Sequence, residues 1–483
     1  MSFRTKNNIK STALIAVMLF ILCGSIFGSF ISYAETDYEQ QAAQRKTLPI
    51  QSNEIYGWPE GPEITAQAAI VMEANTGTIL YSKNIHEELY PASTTKMLTC
   101  LLAAENSNLS DMVTFSSEAI FSVPKGGSNI GMDVGQSITL EQALYGILVG
   151  SANEVANAVA EHVSGSIPDF VDLMNNKAKE LGCTNTHFAN TNGLQADDHY
   201  TSAYDLALIA KAFFSNETML KVGNTPRYHF IATDTQPDDF YINNKHKLIT
   251  GEITCDGVIG GKTGFTNLAR ETLVTGAERN GMRLICVVFM EESPAQFTDT
   301  VTLLDYGFSN FSLVNVSDSD TRYMPNDSLF FESDHDVFGR SGTILKLEKG
   351  NYIVLPKTSE IEDSDYEISY DITDEEKVLH PNAVARVSYS FGGEPIGKTY
   401  VCYTSEGTAQ PPKSIAKKRT IYINIKLIIL FAIGLVLLLT VGGLLISWII
   451  ELKRTAPTRN DRIRYNRRKK DFKKTRFKSR NPW

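Results

Sequence analysis

Cysteine is scarce in this chain, six residues of 483. Cys100, Cys183, Cys255, Cys286 and Cys402 are scattered, with no C-x-x-C pair and no Cys/His cluster. That spacing calls for neither a metal site nor a disulfide framework, and these side chains read as small buried apolar residues. The sixth, Cys23, follows Leu22, a bulky neighbour that argues against a lipid-modified cysteine. Basic residues are sparse through the long middle of the chain. The net charge of −9 divides into +3 over residues 1–34, −28 over 35–408, +5 over 409–450 and +11 over 451–483. An acidic body of that size argues against nucleic acid as its partner.

Long apolar runs occur only at the two ends. Residues 1–34 have a basic start without acids, an apolar stretch from Ala13 to Phe30, and Ser32-Tyr33-Ala34 as an A-x-A-like cleavage site. This pattern predicts a secretory signal, with an uncleaved anchor as the alternative. Residues 35–61 read as a polar lead. Leu427–Ile450 is a charge-free run of 24 residues with Trp448 near one end, long enough to span a bilayer as a helix. The basic linker 409–426 weakens the charge contrast across that span without reversing it, so the basic tail 451–483 is expected on the cytoplasmic side. Attraction to anionic lipid explains the tail more simply than nucleic-acid binding. The expectation is a single-pass protein of the cell membrane with an extracytoplasmic body.

Within the body, Ala68–Met72 and Thr78–Tyr81 flank Asn75-Thr76-Gly77 as a hairpin. A buried helix from Ser93 to about Glu105 follows. Leu140 to about Val163 reads as a helical stretch interrupted at Gly150-Ser151-Ala152-Asn153, with further helices over Phe170–Leu181 and Ala203–Phe214. Thr272–Ala277 and Leu284–Met290 read as strands around a turn at Glu278–Gly281, and Val301–Phe308 as a closing helix. Strand-rich ends around a helical middle predict an α/β domain on an antiparallel sheet over residues 62–316. Short alternating runs (Thr343–Leu347, Tyr352–Leu355, Val384–Tyr389, Lys398–Tyr403) predict a small all-β module over 317–408.

Ser93 and Lys96 lie three apart at a helix start, so their side chains share one face. That spacing suits a serine hydrolase in which a lysine amine takes the nucleophile's proton. The amine is a base only when neutral, so Lys96 requires desolvation or a neighbouring cation. Ser151 and Asn153 sit in the helix interruption, where the plainer reading is a helix cap. Gly260-Gly261-Lys262-Thr263-Gly264 allows close backbone approach to a ligand. S-x-x-K, S-x-N and K-T-G follow in that order, 58 and then 111 residues apart, the set that marks penicillin-binding proteins and class A β-lactamases. His187 and His199 read as loop hydrogen-bonding residues, Asn192 as a turn residue and Cys100 as core.

With Ala66–Lys96, Thr186–Ala207 and Thr275–Arg283, these motifs make residues 62–312 similar to the low-molecular-mass penicillin-binding proteins, the serine-type D-alanyl-D-alanine carboxypeptidases. The resemblance implies a β-lactamase/transpeptidase-like domain, and more loosely likens the β module to that family's C-terminal module. It implies peptidoglycan stem peptides as substrates, β-lactams as covalent inhibitors, and no cofactor or metal. Ser93 would be the nucleophile, Lys96 its base and Ser151 a proton relay, with Asn153 holding Lys96 and the substrate amide. Lys262 would keep the site electropositive, Thr263 would bind the substrate carboxylate beside Gly264, and the N–H groups of Ser93 and Phe265 would form an oxyanion hole.

Two positions depart from the family pattern. Ala269-Arg270 replaces a common Ala-Gly, and Gln296 stands where many relatives carry a carboxylate-binding arginine. Arg270 is expected to restore that charge. The competing readings are a β-lactamase, which lacks support because no Glu-x-x-x-Asn loop occurs in the expected interval, and a catalytically silent cell-wall-binding protein.

Overall fold

The computed structural model describes residues 38–320, 322 and 345–403. The expected signal (1–34), basic linker (409–426), membrane span (427–450) and tail (451–483) lie outside the described residues. Among the described residues no helix is long and apolar enough to cross a membrane.

A five-stranded antiparallel sheet organises the larger part. Its strands are β1 (Ala68–Glu73), β2 (Ile79–Lys83), β3 (Val258–Thr266), β4 (Arg270–Arg279) and β5 (Met282–Glu291), in the order β2-β1-β5-β4-β3. Side chains alternate across a strand, and here both faces are apolar. Ile70, Met72, Ile285, Val287 and Phe289 face a helical layer, while Val71, Leu284, Cys286 and Val288 face the other way. The β4–β5 hairpin turns at Asn280-Gly281, with φ of 51° and 80°, both positive as a two-residue type I′ turn requires.

The helical layer holds α2 (Lys96–Asn106), α3 (Leu140–Leu148), α4 (Asn153–Ser164), α5 (Ile167–Glu180) and α6 (Ala203–Phe214). Every residue of α2 from Lys96 to Ala103 is buried, as expected for a helix surrounded by others. The interruption read at Gly150–Asn153 separates α3 from α4.

Behind the sheet lies α7 (Ala295–Asn310), which runs directly into β6 (Phe311–Asn315). That strand joins β7 (Leu345–Leu347), β8 (Tyr352–Pro356), β9 (Asp365–Ser369), β10 (Ala383–Phe391) and β11 (Glu394–Tyr403) in a second antiparallel sheet. The second sheet therefore begins near residue 311, a few residues before the expected boundary at 316/317. It also carries a short helix, α8 (Asp374–Leu379), capped at its start by a Thr373/Glu376 capping box, so the module is not purely β.

The polar lead is not loose. Residues 38–46 form a helix, α1, whose Arg45 is buried and donates to Thr65 O at 3.0 Å. Trp58 is buried between the two sheets, its ring centroid 4.9 Å from Phe311 and 6.0 Å from Phe391. Composition concealed this segment because its anchors are a few long side chains rather than an apolar run.

Candidate active site

The predicted helix at Ser93 opens as a 3-10 turn over Ala92–Thr95 before α2 begins at Lys96. In a 3-10 turn side chains at i and i+3 eclipse, and this brings Lys96 Nζ to 2.9 Å from Ser93 Oγ. Nζ also donates to Asn153 Oδ1 at 2.7 Å and to the backbone oxygen of Asn192. Both partners are pure acceptors. A neutral amine has two N–H bonds and one lone pair, so with both N–H groups committed the lone pair is left for the hydroxyl of Ser93.

Lys96 is fully buried, and its pKa is held well below the usual lysine range, first by burial and then by the charge of Lys262. Lys262, from β3, donates to Ser151 Oγ at 3.1 Å and to Thr263 O at 2.9 Å. Burial and Lys245 bring its own pKa down to about 7. Ser151 is the strained member of the group: its φ of 59° lies in the left-handed region. Its side chain does not cap α4, whose N-cap is Ala152 without a side-chain bond. Asn153, the first residue of α4, projects onto Lys96.

Asn192, expected as a turn residue, also supplies through its carbonyl the third partner of Lys96. A hydrogen-bonded loop fixes it there. Asn190 Oδ1 accepts from the N–H groups of Asn192 and Gly193, and Asn157 Oδ1 accepts from Thr191 Oγ1 and Asn192 Nδ2. Thr99 Oγ1 of α2 adds a bond to Thr191 O at 2.6 Å. The signal in the sequence was the density of short amide and hydroxyl side chains before Gly193. His199 supports the same turn. Its Nδ1 accepts from Ala189 N–H at 3.0 Å, so the ring proton sits on Nε2 and is donated to Thr95 Oγ1 at 2.8 Å. Burial holds His199 neutral, its pKa down to about 4.

A cleft of about 570 Å³ opens onto this group, lined by Ser93, Ser151, Asn153, Thr263, Gly264 and Phe265 among others. β3 runs tight against the serine turn: a Cβ at Gly264 would stand 2.8 Å from Pro91 O and 3.0 Å from Ser93 N. Lys96 and Lys262 lie buried behind the lining. The outer wall carries Lys245, Lys247, Glu271 and Gln296.

Arg270 departs from its expected place. Its Nε and Nη2 donate to the two carboxylate oxygens of Glu292 at 3.1 and 2.5 Å, and it is not part of the cleft lining. The Nε–Nη2 edge of Arg270 is thus turned to Glu292 rather than into the cleft. The cations on the wall are instead Lys245, which donates to Ser128 Oγ at 3.2 Å, and Lys247. Among the described residues no group of three His, Cys, Asp or Glu side chains gathers around one point.

A family model described as D-alanyl-D-alanine carboxypeptidase (peptidase S11) matches residues 57–293. The D-alanyl-D-alanine carboxypeptidase DacF of Bacillus subtilis is 39% identical over 252 residues, covering 51% of this chain and 63% of that protein. The chain thus spans less than two thirds of that relative. DacB2 of Mycobacterium tuberculosis, another D-alanyl-D-alanine carboxypeptidase, is 32% identical over 257 residues, covering 52% of this chain and 84% of that protein. Among solved structures, penicillin binding protein 6B from Escherichia coli superposes with a TM-score of 0.53 at 24% identity, covering 72% of this chain and 98% of the other. That likeness establishes a shared fold.

Proposed function

The chain belongs to the D-alanyl-D-alanine carboxypeptidase family, and from that premise we propose that it removes the terminal D-alanine from peptidoglycan stem pentapeptides through an acyl-enzyme on Ser93. The observation that carries the reading is the Lys96 amine, buried, deprived of other acceptor roles and 2.9 Å from Ser93 Oγ.

In this mechanism the Ser93 hydroxyl gives its proton to the Lys96 lone pair as Oγ attacks the carbonyl between the two D-alanines. The N–H groups of Ser93 and Phe265 receive the developing oxyanion, each contributing roughly 3 kcal/mol in comparable sites. Ser151, held by Lys262, gives its hydroxyl proton to the departing nitrogen and recovers one from protonated Lys96, so the C–N bond breaks to release D-alanine and Lys96 is neutral again. Water then attacks the ester and returns the proton to the serine through Lys96. Asn153 keeps Lys96 aimed throughout and meets the substrate amide from the cleft.

The substrate carboxylate is taken up by Thr263 with Lys245 and Lys247, the cations on the wall that contains Gln296. Arg270 is assigned no contact with it. The apolar segment 427–450 supports attachment to the cell membrane with the cleft on the extracytoplasmic side. β-Lactams, which present an acyl group to the same serine, act as covalent inhibitors.

The test is incubation of the protein with a pentapeptide ending in D-Ala-D-Ala, assayed for free D-alanine, beside labelling with a fluorescent penicillin. Release of D-alanine and stable labelling, both lost in Ser93→Ala, are expected. Rapid penicillin turnover would indicate a β-lactamase, and absence of both signals would refute the reading.

A further inference from the structure

The residues that close the cleft on its outer side are tied to the segment whose composition reads as a polar lead. Arg270 opens β4 with φ of 53°, a left-handed conformation unusual for arginine. Its guanidinium forks onto Glu292, the residue just before Ser293, while Ser293, Gln296 and Phe297 line the cleft. The guanidinium carbon also lies 5.7 Å from the ring centroid of Phe265, on the opposite lip. The Arg270–Glu292 pair thus links the end of β5 to the lip that follows the K-T-G strand.

Helix α1 holds that pair from outside. Near its start the Tyr38 ring lies 4.2 Å from the Arg270 guanidinium carbon, a cation–π distance. Near its end Arg45 reaches Glu292 Oε1 at 3.4 Å, adding a second cation to the same carboxylate. The end of α1 is itself anchored. Lys83 of β2, fully buried, donates to the backbone oxygens of Arg45 and Ile64, both at 2.8 Å.

We propose that α1 is a positioning element of the active site, which through Tyr38 and Arg45 braces the Arg270–Glu292 pair and so fixes the Phe265 lip of the cleft. Tyr38 and Arg45 touch no reacting atom; they act through Arg270. The kinetic arm of the test rests on the function proposed above, and the exchange arm does not.

The experiment compares Tyr38→Ala with Tyr38→Phe in the full chain. The ring alone supports a cation–π contact, so Tyr38→Phe retains native behaviour. Loss of such a contact at a partly exposed site corresponds to about a two- to fivefold change. Tyr38→Ala is therefore expected to raise KM for the D-Ala-D-Ala peptide by about that factor and, because the Phe265 N–H belongs to the oxyanion hole, to lower kcat and slow penicillin acylation by a similar factor. Amide hydrogen exchange over 265–271 and 290–297 is expected to accelerate in Tyr38→Ala alone. Native KM, acylation rate and exchange in Tyr38→Ala would overturn the proposal. Should the wild-type protein neither label nor release D-alanine, the proposed function fails, and the exchange comparison alone decides whether α1 braces the lip.

Discussion

Gly193 offers a test in which one methyl group separates folding from catalysis. Its φ is 83°, and a Cβ there would lie 1.8 Å from the carbonyl oxygen of Ala92 and 3.0 Å from Ser93 N. Carbon and carbonyl oxygen approach to roughly 3.3 Å at closest, so Gly193→Ala must separate the Asn192–Gly193 loop from the serine turn by about 1.5 Å. That displacement moves Ser93 or withdraws the Asn192 carbonyl from Lys96, and a misplacement of about 1 Å costs on the order of 10²-fold in rate. The left-handed backbone adds about 1–2 kcal/mol of strain for alanine. Gly281, in the β4–β5 turn, supplies the control: its φ is 80°, with no atom within 4 Å of a built Cβ. Gly281→Ala is expected to lose about 1–2 kcal/mol of stability and no activity. The assay is the second-order rate of acylation by a fluorescent penicillin, paired with the urea midpoint of each variant. Acylation of Gly193→Ala at the wild-type rate would refute the placement of the loop against the nucleophile, and a rate loss in Gly281→Ala would show that strain alone explains the effect.

Three further outcomes follow from the electrostatics. Lys262→Met removes the charge that helps keep Lys96 deprotonated, so the acid limb of the kcat/KM profile should move to higher pH as the rate falls; an unmoved limb would show that burial alone sets the amine. Lys247→Ala should raise KM for the D-Ala-D-Ala peptide by about tenfold, the scale of one hydrogen bond to a charged group, and unchanged KM would remove Lys247 from carboxylate recognition. His199 is neutral in the fold with a pKa down to about 4, whereas an unfolded histidine titrates near 6.5. Between those values the unfolded chain binds the extra proton, so stability falls as pH drops from about 6.5 to about 4, by up to roughly 3 kcal/mol from this residue. Urea midpoints at pH 7, 5 and 4 should therefore fall more steeply in the wild type than in His199→Gln; equal slopes would contradict the buried neutral ring.

Much of the fold was legible because the core elements carry strong periodic signals. The β1–β2 and β4–β5 hairpins stand on Asn/Gly turns, and α6 occupies the expected Ala203–Phe214. The residues gathered around Ser93 were legible because the proposed chemistry confines them to short local patterns. What the sequence concealed depended on long side chains meeting across distance. α1 shows no apolar stripe, since it is held by Tyr38, Arg45 and a buried lysine from β2. In the sequence Arg270 reads as available for substrate because Glu292 lies 22 residues away. Counting along the hairpin from Asn280-Gly281 puts position 270 opposite 291, and the irregularity between Glu271 and Leu273 moves the partner on by one. That count was available, but only a resolved bulge turns it into an ion pair.

The groups around Ser93 come from a helix start, a helix interruption, a polar loop and a strand at the far side of the sheet. No subset of the chain gathers them, so a partly collapsed intermediate has a serine but no nucleophile. Covalent capture of penicillin during refolding would therefore time the last docking step of the whole domain, a chemical clock that needs no added label on the protein.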